Sequence, residues 1–168
     1  MFKGNLRKFQ ERHEENLLMK CADYEEIVLY APTGSGKTVL TCKFIDDYLD
    51  ENPNTVFLWL CPGGLEKQSQ DSFEEMTEGI PFGDVYSFIN ESTPEGHVFF
   101  INWDKINKSS NIVLREGEHK DLMAKVLFCH NSNIDIFMII DEEHKYRDTA
   151  NEYVANIQPI HTLRISAT

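Results

Sequence analysis

Short apolar stretches alternate with segments of helical spacing along most of the chain. Apolar runs of strand length lie at residues 26–30, 55–61, 84–88, 97–102, 134–140 and 162–166. The run at 55–61 is continuous and bounded by Pro53 and Pro62, which is typical of a strand buried on both faces. The run at 134–140 is the most apolar of the series and is followed directly by acidic residues.

Helix-compatible segments separate several of these runs. They lie at residues 39–49, 65–76, the second half of 112–130, and 148–157. Strands that alternate with helices indicate βαβ units and a mostly parallel sheet. Right-handed crossovers then place helices on both faces of the sheet. We therefore expect an α/β fold with three layers, α/β/α, in which residues 1–168 form one domain.

Composition places the chain among ordinary globular proteins, with 41% hydrophobic and 26% charged residues. No apolar run is long enough to cross a bilayer, and Met1 to Leu6 contain no apolar signal segment. We expect a cytoplasmic protein without a membrane partner. The four cysteines lie far apart, which favours packed thiols over a zinc site.

The charge balance limits the kinds of partner that the chain binds alone. Sixteen basic residues stand against 28 acidic ones, which gives a net charge of −12. Proteins that bind duplexes usually carry a basic face, and here the basic residues are scattered. Because exposed charges are screened over about 8 Å at physiological salt, a local basic groove remains compatible with this balance. Strong nucleic-acid binding by this chain alone is disfavoured.

A glycine-rich segment follows the first apolar run and precedes a predicted helix. Its sequence from Ala31 to Thr38, APTGSGKT, fits the phosphate-loop pattern G-x-x-x-x-G-K-[ST] except at the first position. Gly34 and Gly36 can adopt the backbone angles that turn successive N–H groups toward phosphate oxygens. Lys37 would contact the β- and γ-phosphates, and the Thr38 hydroxyl would bind Mg²⁺. A chance glycine-rich turn is the alternative, and the strand and helix around the segment disfavour it.

Two carboxylates follow the apolar run at 134–140. ATP hydrolysis needs one carboxylate for Mg²⁺ and a second to orient the attacking water. Asp141 and Glu142 can divide these roles because successive side chains point in different directions at a strand end. We assign the metal to Asp141 and the water to Glu142. Taken in isolation, the acidic run would be a solvated turn, but the phosphate loop upstream favours the catalytic assignment.

Several short motifs now occur together and in a fixed order. They are LRKFQ at 6–10, APTGSGKT at 31–38, CPGGLEKQ at 61–68, DEEH at 141–144 and SAT at 166–168. In these motifs the chain resembles the first RecA-like domain of superfamily 2 helicases and translocases. More narrowly, it is similar to the DEAD/DEAH-type domain of type III restriction subunits. An initial Ala in the phosphate loop is usual in that superfamily, and the third position of DEEH is variable.

The resemblance implies roles for further residues around the nucleotide. Gln10 would contact adenine, although a polar residue on an N-terminal helix is the alternative. His144 would couple the nucleotide site to another domain, and the hydroxyls of Ser166 and Thr168 would link DEEH to the moving parts of a motor. The residues expected to bind the cofactor ATP are Gln10, Thr33, Gly34, Ser35, Gly36, Lys37, Thr38 and His144.

The segment CPGGLEKQ, at the end of the apolar run at 55–61, resembles one that touches the nucleic-acid backbone in the family. Pro62, Gly63 and Gln68 are the residues that would do so here, and a simple strand-to-helix turn is the alternative. Trp103 lies in a further family-like segment, where we favour packing over function. The partner implied by the resemblance is DNA, with RNA as the alternative, and a modification subunit would accompany a restriction subunit.

Motor function in this superfamily needs a second RecA-like domain, and residues 1–168 contain only the motifs of the first. The second domain supplies arginine fingers, which are worth about 10³ to 10⁵ in rate in related systems. We therefore expect these residues to bind Mg·ATP and to hydrolyse it slowly. Two other hypotheses remain open. One is a different P-loop NTPase, such as a small kinase, although no arginine-rich lid is visible. The other is a non-catalytic nucleotide-binding module.

Overall fold

The computed structural model describes residues 1–32, 34–102, 116–141 and 147–166. Its strands are β1 (Glu26–Tyr30), β2 (Thr55–Cys61), β3 (Phe82–Asp84), β4 (Val98–Asn102), β5 (Asp135–Asp141) and β6 (His161–Ser166). Its helices are α1 (Lys8–Cys21), α2 (Lys37–Glu51), α3 (Glu66–Met76), α4 (Val85–Asn90), α5 (Glu116–Asn131) and α6 (Arg147–Ile157).

These strands form one sheet in the order β1-β6-β5-β2-β4-β3, and every neighbouring pair is parallel. The central strand β2 is buried along its whole length, as its continuous apolar sequence predicts. β5 pairs with it over six residues, from Thr55 opposite Asp135 to Leu60 opposite Ile140. All carboxyl ends of a parallel sheet meet at one edge, so this topology places the last residues of β1 and β5, Tyr30 and Asp141, on the same side of the molecule.

The apolar core is divided between the two faces of the sheet. One cluster packs α1, α2 and α3 against side chains such as Phe57 and Phe137, whose rings stack 4.8 Å apart. The other cluster packs α4, α5 and α6 against the alternate side chains of the same strands, Leu58 and Met138 among them. Helices therefore cover both faces, and the predicted three-layer α/β/α fold is confirmed.

The short run at 84–88 was expected to continue the series of strands, and this expectation is wrong for most of it. Only Asp84 belongs to β3, and the helix α4 begins at the next residue. The Asp84 carboxylate accepts a hydrogen bond from the Ser87 backbone N–H at 2.9 Å, which caps the first turn of the helix. Val85 and Phe88 are then buried together at helical spacing.

The cysteines Cys21, Cys42, Cys61 and Cys129 are unpaired thiols, and all of them are buried, as predicted. Burial raises the pKa of the Cys61 thiol to about 12, so this residue at the end of β2 is not a nucleophile at neutral pH. Within the described ranges, no helix is long and apolar enough to cross a membrane. The same ranges hold no cluster of three or more His, Cys, Asp or Glu side chains arranged for a metal.

Candidate nucleotide-binding site

The phosphate loop connects the carboxyl end of β1 to the first residue of α2. Gly34 and Gly36 have φ values of 77° and 85°, in the left-handed region that favours glycine. Gly36 is the N-cap of α2, so the helix starts at Lys37, two residues before the apolar pattern predicts. The Ala31 N–H donates to the Ser166 carbonyl at 3.2 Å, which attaches the start of the loop to β6. The unpaired N–H groups of the first turn of α2 make this a place for an anion.

The Lys37 side chain folds back over the loop. Its Nζ donates to the Ala31 carbonyl oxygen at 3.0 Å, while its own carbonyl accepts from the Thr41 hydroxyl at 2.8 Å. Lys37 and Thr38 are partly buried, and both border a cleft beside the loop. A phosphate oxygen is a charged acceptor and therefore a stronger partner for the ammonium group than a neutral carbonyl oxygen.

Asp141 borders this cleft from the other side. It is the last residue of β5 and pairs with Ile165 of β6, while Ser166 pairs with Tyr30 of β1. Two strand spacings, about 10 Å, therefore separate the strand carrying Asp141 from the strand that leads into the phosphate loop. The cleft has a volume of about 420 Å³, and its lining includes Gly34, Gly36, Lys37, Thr38 and Asp141. The structure thus brings together residues that lie more than 100 positions apart in sequence.

Gln10 lies against the outer side of the loop. Its side chain is only 5% exposed, and its Nε2 donates to the carbonyl oxygens of Ser35 at 3.1 Å and Gly36 at 3.4 Å. Its Oε1 accepts from the Arg7 backbone N–H at 2.8 Å, within a capping box at the start of α1. A second, smaller cavity of about 160 Å³ lies here and is also bordered by Phe9 and Tyr30. In this structure the Gln10 amide contacts the phosphate loop, and its contact with adenine stays a prediction.

The segment expected to touch nucleic acid forms the turn between β2 and α3. The Leu65 N–H donates to the Pro62 carbonyl at 3.0 Å, and Gly64 has a φ of 82°. Pro62 is buried and Gly63 is partly buried, whereas Gln68 is exposed and borders the nucleotide cleft. A role for these three residues in nucleic-acid binding stays a prediction.

Several residues of the cleft wall were not identified from the sequence. Trp59 of β2 borders the cleft and is 1% exposed, and its Nε1 has no hydrogen-bond partner within the described part of the chain. Ser69 and Ser72 of α3 border the same cleft beside Gln68. The spacing of these polar residues at i, i+1 and i+4 is the signal in the sequence that marks this helix face.

Five residues singled out in the sequence lie outside the described ranges. They are Thr33, Trp103, Glu142, His144 and Thr168. Their proposed roles in phosphate binding, packing, water activation and coupling therefore stay predictions. Both residues expected to bind Mg²⁺, Thr38 and Asp141, lie within the described ranges.

The described residues fit a nucleotide with its magnesium ion. The loop has the two glycine conformations that an anion-binding turn requires, and Lys37 supplies a positive charge. The Ser35 hydroxyl is buried and has no hydrogen-bond partner in the described residues. Thr38 and Asp141 both border the cleft and carry side-chain oxygen atoms, and oxygen is the ligand that Mg²⁺ prefers.

Comparisons with known proteins identify the family and the fold of the chain. Residues 3–168 match the family described as the type III restriction enzyme, res subunit. The Sulfolobus solfataricus SWI2/SNF2 ATPase core in complex with dsDNA superposes with a TM-score of 0.63 at 18% identity, over 99% of this chain and 32% of that one. A nuclease-deletion mutant of the Type ISP restriction-modification enzyme LlaGI, in complex with a DNA substrate mimic, superposes with a TM-score of 0.68 at 15% identity.

The LlaGI match covers 98% of this chain and 18% of that chain, so the chain spans a small part of each of the two structures. A search among curated proteins finds no significant match. The family match covers nearly the whole sequence, and the superpositions show a RecA-like fold. The chain therefore belongs to the family of the type III restriction enzyme res subunit.

Proposed function

We propose that this domain binds Mg·ATP and that hydrolysis of the ATP drives the movement of a restriction enzyme along DNA. One observation carries the proposal. The phosphate loop, with Lys37 and Thr38, and the strand-end carboxylate Asp141 border one cleft at the carboxyl edge of the sheet. This is the place where parallel α/β sheets bind their ligands.

The roles of the residues follow from their chemistry. Lys37 holds the β- and γ-phosphates, and the backbone N–H groups at the start of α2 surround the phosphate chain. Thr38 and Asp141 hold Mg²⁺, and Glu142 orients the attacking water. When bound, the metal ion neutralises charge on the phosphate oxygens. Turnover by residues 1–168 alone is slow, because arginine fingers come from a second RecA-like domain in this superfamily.

The DNA partner is proposed from the relatives. Two similar structures are described as complexes with dsDNA or with a DNA substrate mimic. This chain has a net charge of −12, so we expect its own contribution to DNA affinity to be small and the longer protein to supply most phosphate contacts. A modification subunit is the expected protein partner, and the cytoplasm is the expected compartment.

Phosphate release and nucleic-acid binding test the proposal together. With Mg·ATP, the chain should release inorganic phosphate slowly and should transfer none to sugar, nucleoside or peptide acceptors. With a non-hydrolysable ATP analogue, it should bind duplex DNA weakly but better than duplex RNA of the same sequence, and salt should weaken this binding. Transfer to an acceptor would identify a kinase instead. Preference for RNA would contradict the assignment to DNA.

A further inference from the structure

The face of α1 that packs into the protein contains two polar residues. The buried residues of this helix are Gln10, Glu14, Leu17 and Cys21. Their spacing of four, three and four residues places them in one stripe. Leu17 and Cys21 belong to the apolar core that α1 shares with α2 and β1. Glu14 is only 5% exposed, and its Oε1 has no hydrogen-bond partner within the described residues.

Glu14 faces a second carboxyl group, on α2. The side chain of Asp47 lies next to that of Glu14 and acts on its pKa, and Asp47 also pairs with Lys43 one helical turn earlier. The charged groups that act on Glu14 are Asp47 and Lys43 from α2 and Glu15 from α1 itself. β1, which also packs against α1, contributes the apolar residues Ile27 and Leu29 to this core. Two carboxyl groups thus meet at the contact between α1 and α2.

Two neighbouring carboxyl groups form a hydrogen bond only when one of them carries a proton. Burial, and after it the charge of Asp47, raises the pKa of Glu14 from its ordinary value of 4.5 to about 7. In that state the Glu14 O–H can donate to the Asp47 carboxylate, which also pairs with Lys43. Below neutral pH this arrangement joins α1 to α2. Above it, two negative charges face each other at the same contact.

We propose that Glu14 is a positioning residue, whose protonated side chain holds α1 against α2 and so keeps Gln10 on the carbonyl groups of the phosphate loop. Gln10 lies one helical turn before Glu14 on the same stripe, about 6 Å along the helix axis. It donates to Ser35 and Gly36, so a displacement of α1 changes this contact directly. The effect on nucleotide binding rests on the proposed function, whereas the effect on the loop does not.

The sign of the pH dependence follows from the raised pKa. The unfolded chain loses the Glu14 proton near pH 4.5, whereas the folded chain keeps it up to about pH 7. The folded state therefore binds more protons in this window, and stability falls as the pH rises through it. Above the folded pKa, the contribution of this group stays at its lower level.

Thermal unfolding from pH 4.5 to pH 8 tests the carboxyl pair. Glu14→Gln keeps the shape and the donor but cannot ionise, and the matched control is Glu11→Gln, at an exposed position of the same helix. Glu14→Gln should melt close to wild type at pH 5 and a few degrees above it at pH 8, while Glu11→Gln should follow wild type. If Glu14→Gln instead melts below wild type at pH 8, the residue acts as an ionised partner of Lys43, and the proposal is overturned.

Hydrogen exchange tests the connection to the phosphate loop without any nucleotide. After correction for intrinsic rates, amides of α1 and of the first turn of α2 should exchange faster at pH 8 than at pH 6 in wild type. Glu14→Gln should remove this difference. Equal protection at the two pH values in wild type would overturn the positioning role.

Nucleotide affinity provides the last measurement. From pH 6 to pH 8, Mg·ADP binding should weaken several-fold more in wild type than in Glu14→Gln. Adding the substitution Gln10→Ala to both proteins should remove this difference between them. A difference that persists without Gln10 would contradict transmission through that residue. If no variant binds nucleotide at any pH, the proposed function fails, and hydrogen exchange alone decides the role of Glu14.

Discussion

The side-chain amide of Gln10 donates a hydrogen bond to the backbone carbonyl of Ser35 at 3.1 Å, across 25 positions of sequence. The same amide accepts from the Arg7 N–H through its Oε1, so the two ends of the group are engaged. One side chain thus joins the start of α1 to the phosphate loop. To contact adenine with its N–H groups, Gln10 would have to exchange this bond for one to the base.

Replacing Gln10 with Ala separates these two roles. Loss of the contacts with Ser35 and Arg7 should lower the free energy of unfolding by about 1 kcal/mol for each hydrogen bond. If Gln10 acts through the loop, affinity for Mg·ATP and Mg·GTP should fall by similar factors. Calorimetric titration with the two nucleotides measures this. A loss confined to ATP would instead establish contact with adenine as the main role.

Gly36→Ala should disturb the phosphate loop in two ways. The residue has a φ of 85°, and an added Cβ would lie inside contact distance of Gln10 Nε2. Gly64→Ala is the matched control, because its φ is 82° and a Cβ there would meet nothing within 4 Å. Each variant should be destabilised by about 1–2 kcal/mol through backbone strain alone. Only Gly36→Ala should also weaken Mg·ATP binding, and equal affinities in the two variants would contradict the role of this loop.

Asp141→Asn tests the metal site. Removing the carboxylate charge should raise the Mg²⁺ concentration needed for half-maximal ATP binding, while binding of metal-free ATP changes little. Asp135→Asn is the control, since Asp135 is exposed at the opposite end of the same strand. The measurement is ATP affinity over a Mg²⁺ titration. An unchanged Mg²⁺ dependence in Asp141→Asn would remove this residue from the metal site.

Much of the architecture could be predicted because it depends on local patterns. The continuous apolar sequence of β2 indicated a buried parallel strand, and glycine spacing placed the phosphate loop between β1 and α2. The helix α4 was missed because five residues do not distinguish strand from helix without the Asp84 cap. Caps of this kind depend on a single side-chain contact, which hydrophobic periodicity does not report.

The contacts around the site were harder to predict because they join residues far apart in sequence. Nothing near Glu14 indicates that it is buried against Asp47, since a glutamate on a polar helix is normally exposed. Trp59 was assigned to the core correctly as part of β2, but its place in the cleft wall depends on how α3 packs beside the loop. Such relationships follow from tertiary packing, which the pattern of one segment does not contain.

Thermal unfolding with Mg·ATP tests the central claim, that the cleft around Lys37 binds a nucleotide. At a hundredfold excess over the dissociation constant, Mg·ATP should stabilise the wild-type chain by about 2.7 kcal/mol. Lys37→Ala should lose this stabilisation, whereas Lys67→Ala, which removes an exposed lysine of α3, should keep it. Full stabilisation of Lys37→Ala, or none in wild type, would contradict the account.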